Sequence, residues 1–130
     1  MRAVDTNVLL RLIIRDDSRQ AAAAETFIEK GAWVSLLVLT EAIWVLTSTY
    51  KSNAKDTANA IEMLLDHREL VVQDPETVAQ ALELFRARPA LGFSDCLILQ
   101  CAQREGHLPL GTFDRNLAKV DGTVRIGSVS

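Results

Sequence analysis

The chain is 130 residues long and 48% hydrophobic, with 17 acidic against 14 basic side chains and a net charge of -3. A chain of that length buries about two-thirds of its unfolded surface, which fits one domain over 1–130, and the three prolines and six glycines exclude a low-complexity or broadly disordered chain. The acidic balance excludes a protein that holds nucleic acid by bulk charge alone, yet it leaves room for a nuclease whose carboxylates are neutralised by metal ions.

In chain order, Ala3-Val4 reads as a short strand ending at Asp5, after which Val8, Leu9, Leu12 and Ile13 recur at helical spacing. Asp17-Ser18 caps a second helix through Ala21 to Ala24 and Phe27-Ile28, stopped at Gly31. Ala32 to Ser35 reads as a strand, Leu36 to Tyr50 as a long apolar helix, and Asn53 to His67 as a further helix with Ile61, Leu64 and Leu65 on one side. Leu70-Val71-Val72 is a third strand, and Asp74-Pro75 opens a helix running to about Arg88. Pro89 to Phe93 breaks the pattern, and Ser94 or Asp95 starts a helix that stops at Gly106. Leu108 to Thr112 supplies a fourth strand, Asn116 to Val120 a short helical turn, and Val124 to Ile126 a last strand. Only the last few residues are expected to lack order. Short apolar strands separated by helices imply an α/β fold with a mostly parallel sheet and helices on both faces.

No apolar run reaches the roughly 18 uncharged residues of a membrane span, and Met1 to Asp5 lacks the pattern of a signal peptide. A cytoplasmic protein without a membrane partner is therefore expected. Cys96 and Cys101 lack zinc-motif spacing and sit badly for a disulfide within one helical segment, so they read as small core hydrophobes.

Ligands of such sheets bind beyond the carboxyl ends of the strands, and four acids fall where apolar runs meet polar turns: Asp5, Glu41, Asp95 and Asp114. Each has an ordinary reading. Asp5 suits a helix cap, Asp95 a helix-start charge, and Asp114-Arg115 a turn with a solvent ion pair worth under about 1 kcal/mol. Glu41 lies in a helix apolar nearly all round; buried there it requires a partner, either a basic side chain or a metal. Taken jointly, four carboxylates at one end of a sheet suit a hard divalent ion such as Mg2+ or Mn2+ and metal-dependent phosphodiester hydrolysis. Asn7, Ser94 and Thr112 then read as donors that orient carboxylates or water.

Val4-Asp5-Thr6-Asn7, Thr40-Glu41, Ser94-Asp95 and Thr112-Phe113-Asp114-Arg115, in that order, resemble the motifs of the PIN-domain ribonucleases. In length and order the chain is most similar to the VapC toxins of bacterial and archaeal toxin–antitoxin pairs. The resemblance implies an α/β/α sandwich and Mg2+- or Mn2+-dependent RNA cleavage. It makes Asp5, Glu41, Asp95 and Asp114 the metal-binding and catalytic residues, supported by Asn7 and Thr112. It also implies a cognate antitoxin and a homodimer. Some relatives carry a further acid two positions past the last Asp, where this chain has Asn116. Its rivals are a housekeeping RNA-processing nuclease without antitoxin and a catalytically silent module that holds RNA or a partner.

Other residues carry weaker signals. His67 and His107 fall near helix ends and read as caps for carbonyls, and Trp33 and Trp44 read as core. Arg11, Arg15, Arg86, Arg88 and Arg115 are solvated surface or, in the sharper reading, contacts to RNA phosphates.

Overall fold

A computed structural model describes residues 1–127; the expected loss of order at the chain end concerns residues outside the described ones. The fold class is α/β, as expected, and every strand pair among the described residues is parallel. Two compact units divide the chain after Pro75. No helix among the described residues is long and apolar enough to cross a membrane.

The first unit contains β1 (Arg2–Ala3), α1 (Thr6–Ile13), α2 (Ser18–Ile28), β2 (Ala32–Val34), α3 (Leu36–Ser48), α4 (Ala54–Asp66) and β3 (Leu70–Val72). The strands lie in the order β1-β2-β3, with Ala3 opposite Trp33 and Trp33 opposite Val71. Period-two alternation sends Ala32, Val34, Leu70 and Val72 into the core, so Trp33 and Val71 point to the other face. Leu9, Ile28, Leu39, Leu46, Ile61 and Leu64 fill the interior between helices and sheet. Truncating any one of these to Ala should cost about 2–5 kcal/mol.

Polar side chains set the helix starts. Asp5, Asp17, Ser35 and Asn53 each accept a backbone N–H in the first turn of the helix they precede, satisfying donors that would otherwise have no partner. The buried Thr57 hydroxyl donates to Ser52 Oγ at 2.9 Å.

The second unit contains α5 (Pro75–Ala87), a 3-10 turn over Pro89–Leu91, α6 (Phe93–Arg104), β4 (Leu110–Thr112), a 3-10 turn over Leu117–Lys119 and β5 (Thr123–Arg125). β4 and β5 pair in parallel, with Leu110 opposite Thr123 and Thr112 opposite Arg125. Val78, Leu82, Phe85, Phe93, Leu97 and Leu99 form its core, and the rings of Phe85 and Phe93 meet edge to face at 6.1 Å. The break after Arg88 proves to be a 3-10 turn closed by Gly92, whose φ of 80° lies in the left-handed region that favours glycine. That reversal lets α6 begin at Phe93, two residues before Asp95.

Cys96 is fully buried and Cys101 partly so, and both are free thiols, in keeping with the core reading. The core reading of the tryptophans fails. Trp33 is 38% exposed and Trp44 63% exposed, so neither belongs to the core: Trp33 is on the outer-facing register of β2, and α3 turns Trp44 away from Ala42, Ile43 and Leu46. His67 is the C-cap of α4, its backbone N–H donating to the Leu64 carbonyl at 3.4 Å, while its Nδ1 accepts the Glu69 N–H at 3.1 Å and closes the turn into β3.

Candidate functional site

In the first unit, β1 delivers the chain to Asp5 at the carboxyl edge of the sheet, and the Val4 N–H donates to the Trp33 carbonyl at 3.1 Å. Asp5 then leaves the sheet and caps α1, its Oδ1 accepting the Val8 N–H at 3.0 Å. The capping reading is therefore correct, but it uses one acceptor site of a carboxylate that has about four. Asp5 is exposed, so the others face solvent.

Glu41 departs from expectation. It is exposed on α3, not buried, because the helix hides only Leu39, Ala42, Ile43 and Leu46. Its partner is neither Arg nor Lys: the Thr6 hydroxyl donates to Glu41 Oε1. Since Thr6 follows Asp5 directly, this bond places the Glu41 carboxylate at the same turn as Asp5. Asn7 is the next residue, exposed in the first turn of α1. Two further side chains complete the edge: Ser35, capping α3 through Val38 N–H at 3.1 Å, and Gln73, whose Oε1 accepts the Leu36 N–H at 2.9 Å.

In the second unit, Asp95 sits half-buried in the first turn of α6, beside Ser94. Burial, and then the negative field of Asp114, hold its carboxyl above the usual carboxylate range. Asp95 is thus the partly buried member of the pair and Asp114 the exposed one. Asp114 follows β4 and is fixed by backbone: its Oδ1 accepts the N–H groups of Asn116 at 2.7 Å and Leu117 at 3.0 Å, and its own N–H donates to Thr112 Oγ at 3.0 Å. The Thr112 hydroxyl thus acts here as an acceptor for the Asp114 backbone, not as a donor to its carboxylate. Burial pushes the neighbouring Cys96 thiol up to about 11, with Asp95 adding to the shift.

Each unit presents a pair of the four acids. Among the described residues, no group of three or more His, Cys, Asp or Glu side chains gathers closely enough to hold a metal ion. The donors suit a hard cation nonetheless: they are carboxylate and hydroxyl oxygens, and the Asp95–Asp114 pair carries a repulsion that a divalent ion would relieve. Thr6 was not singled out from sequence, although its hydroxyl stands between two motif residues; only the approach of α3 to α1 reveals its role.

The candidate RNA contacts differ in availability. Arg11 is engaged within the unit, donating to Asp16 Oδ1 at 2.8 Å and to the Tyr50 hydroxyl at 3.1 Å, with its side chain only 18% exposed. Arg15 pairs with Glu25, and Arg115 is exposed beside Asp114.

Residues 2–123 match the PIN domain family. The chain is 31% identical over 119 residues to Ribonuclease VapC23 of Mycobacterium tuberculosis, in both the CDC 1551 / Oshkosh and the ATCC 25618 / H37Rv strains. That alignment covers 88% of this chain and 94% of the relative. No solved structure shows significant similarity to the chain.

Proposed function

The chain belongs to the PIN-domain family, and from that membership we propose that it is a Mg2+- or Mn2+-dependent endoribonuclease, the cytoplasmic toxin of a toxin–antitoxin pair. Its relation to a VapC ribonuclease supports this reading. The observation that carries it is Asp95, half-buried in the first turn of α6, its carboxyl raised by burial and then by the field of Asp114, which two backbone N–H groups hold after β4. An arrangement that raises a carboxyl in this way is costly to stability and useful to a cation.

Asp5, Glu41, Asp95 and Asp114 are the metal-binding and catalytic carboxylates of one nuclease domain. When bound, the ion supplies Lewis acidity toward the scissile phosphate and the attacking water. The chain's own residues do the positioning. Thr6 fixes the rotamer of Glu41 by donating to one carboxylate oxygen, which leaves the other for the ion. Backbone N–H groups and the Thr112 turn hold Asp114, so that no reorganisation is needed as charge develops. Asn7 and Ser94 flank Asp5 and Asp95 and orient water. Arg115 is placed to meet a phosphate beside Asp114, whereas Arg11 and Arg15 reach RNA only by sharing themselves with Asp16 and Glu25.

The test is RNA cleavage by the purified protein with Mg2+, with Mn2+ and with chelator, for the wild type, Asp5→Asn and Asp95→Asn. Ion-dependent cleavage lost in both variants, with folding intact by circular dichroism, is the expected result; retained cleavage in both removes the proposed site. Growth arrest on expression, relieved by the product of a neighbouring gene, is expected of a toxin and not of a housekeeping nuclease. Sedimentation of the free protein checks the homodimer.

A further inference from the structure

Beside Asp5 the first unit contains a cavity of about 370 Å³ between α1 and α2. Its walls are mainly apolar, formed by Val8, Ala23, Ala24 and Phe27, with amide groups from Asn7 and Gln20 and the charged side chains of Asp5 and Arg11 in the lining. This volume lies in the range of roughly 300–1,000 Å³ typical of small-molecule sites, which combine apolar walls with a few polar groups that fix orientation. Arg2 holds Phe27 in place. The Arg2 guanidinium stacks on its ring at 3.9 Å from the centroid, and Arg2 Nη2 donates to the Phe27 carbonyl at 3.0 Å.

We infer that this cavity is a base-recognition subsite, which takes one unpaired nucleobase of the RNA next to the scissile linkage. The inference rests on the ribonuclease reading above. An aromatic ring braced by a cation is a stacking platform tolerant of base identity, of the kind single-strand binders use. Side-chain amides offer the paired donor and acceptor needed to read a base edge. Asp5 lines the same cavity, so a base seated there brings its own backbone to the carboxylate edge. The alanines are what leave the space open: Ala23 is exposed and Ala24 buried, and any longer side chain on this face of α2 would fill it. Nothing in the folding of α2 requires alanine at 23, where longer helix formers are equally tolerated.

The subsite is tested by Ala23→Leu, which fills the cavity without deleting a contact, and by Phe27→Leu, which keeps the wall apolar but removes the ring. Binding of a short single-stranded RNA is measured by fluorescence anisotropy in chelator, and the sequence preference of Mn2+-dependent cleavage is read by sequencing the 5′ ends of products. Both variants should bind the oligonucleotide about 10-fold more weakly, and Phe27→Leu should flatten the base preference at one position next to the cut while still cleaving. Unchanged affinity and an unchanged preference in folded, cleaving variants would overturn the subsite and leave the nuclease reading standing. A wild type that cleaves no RNA but binds the oligonucleotide in a Phe27-dependent way would sink the nuclease reading and keep the cavity as an RNA site. If the variants lose only their hold on a protein encoded by the neighbouring gene, the cavity is a protein-docking site and the inference is wrong.

Discussion

The two units hold their acids by different physics. In the first, Asp5 and Glu41 are exposed and anchored by single hydrogen bonds, to the Val8 N–H and from the Thr6 hydroxyl. In the second, Asp95 is half-buried and unsettled by its neighbour Asp114, which is itself pinned by two backbone N–H groups. Solvent screens the first pair whether or not an ion is present. Partial burial denies Asp95 part of that relief, so most of the electrostatic demand for a cation arises at α6. The contrast predicts that ion binding and stability are coupled through Asp95 and Asp114, while Asp5 and Glu41 serve geometry.

The largest expected effect is on cleavage. Outer partners of metal ligands are commonly worth 10–100-fold, so Asp95→Asn or Asp5→Asn should each lower the rate by more than about 100-fold. The contrast appears in melting without metal. The Asp95 carboxyl is raised above its unfolded value, so the native state binds the proton more tightly, and its ionised form weakens the fold as pH rises through the raised value. Asp95→Asn should therefore melt no lower than wild type at neutral pH and lose part of the decline between acid and neutral pH. Asp5→Asn keeps a capping oxygen and should leave metal-free melting at neutral pH nearly unchanged. If the two variants exchange these behaviours, the assignment of strain to the second unit is wrong.

Glu41 sharpens the same contrast. With the side chain exposed, Glu41→Gln should change metal-free stability by no more than about 0.5 kcal/mol, where an orphaned buried ion pair would have cost about 3 kcal/mol or more. The thermal shift produced by Mn2+ in the wild type should shrink or vanish in the variant. A full shift in Glu41→Gln takes this residue out of the site.

Asp5, Asp95 and Asp114 were legible because strand ends and helix starts follow from apolar periodicity and turn residues, and a carboxylate at such a junction needs a reason. The α/β class and parallel pairing followed from strands alternating with helices, and the observed element ends differ from expectation by one or two residues, where fraying decides them. Glu41 was placed correctly on its helix and wrongly in the interior. A run such as Leu36 to Leu46 looks buried all round, but α3 packs with one face only, and Leu37 and Trp44 point outward at 80% and 63% exposure. The side a helix shows to its neighbours is a tertiary fact. For the same reason Thr6, Phe27 and Gln20 stayed silent: their roles depend on α1 meeting α3 and α2, and no spacing along the chain encodes that approach.

The smallest expected effect separates charge from scaffold at Asp114. Its Oδ1 accepts the N–H groups that begin the 3-10 turn over Leu117–Lys119, a task that Asn performs nearly as well as Asp and Ala cannot perform. Asp114→Asn should accordingly leave metal-free stability almost unchanged, with relief of Asp95 offsetting the lost charge-assisted bonds, whereas Asp114→Ala should lose about 1 kcal/mol by chemical denaturation. Both remove a charge from the second pair, so both should weaken Mn2+ stabilisation by similar amounts. The thiol of Cys96 gives an independent check that the turn and α6 stay folded: buried and pushed up to about 11, it should resist a thiol reagent at neutral pH in Asp114→Asn and in wild type alike. Should Asp114→Asn prove as destabilising as Asp114→Ala, the backbone anchoring depends on full charge, and the division between a geometric pair and an electrostatic pair would have to be redrawn.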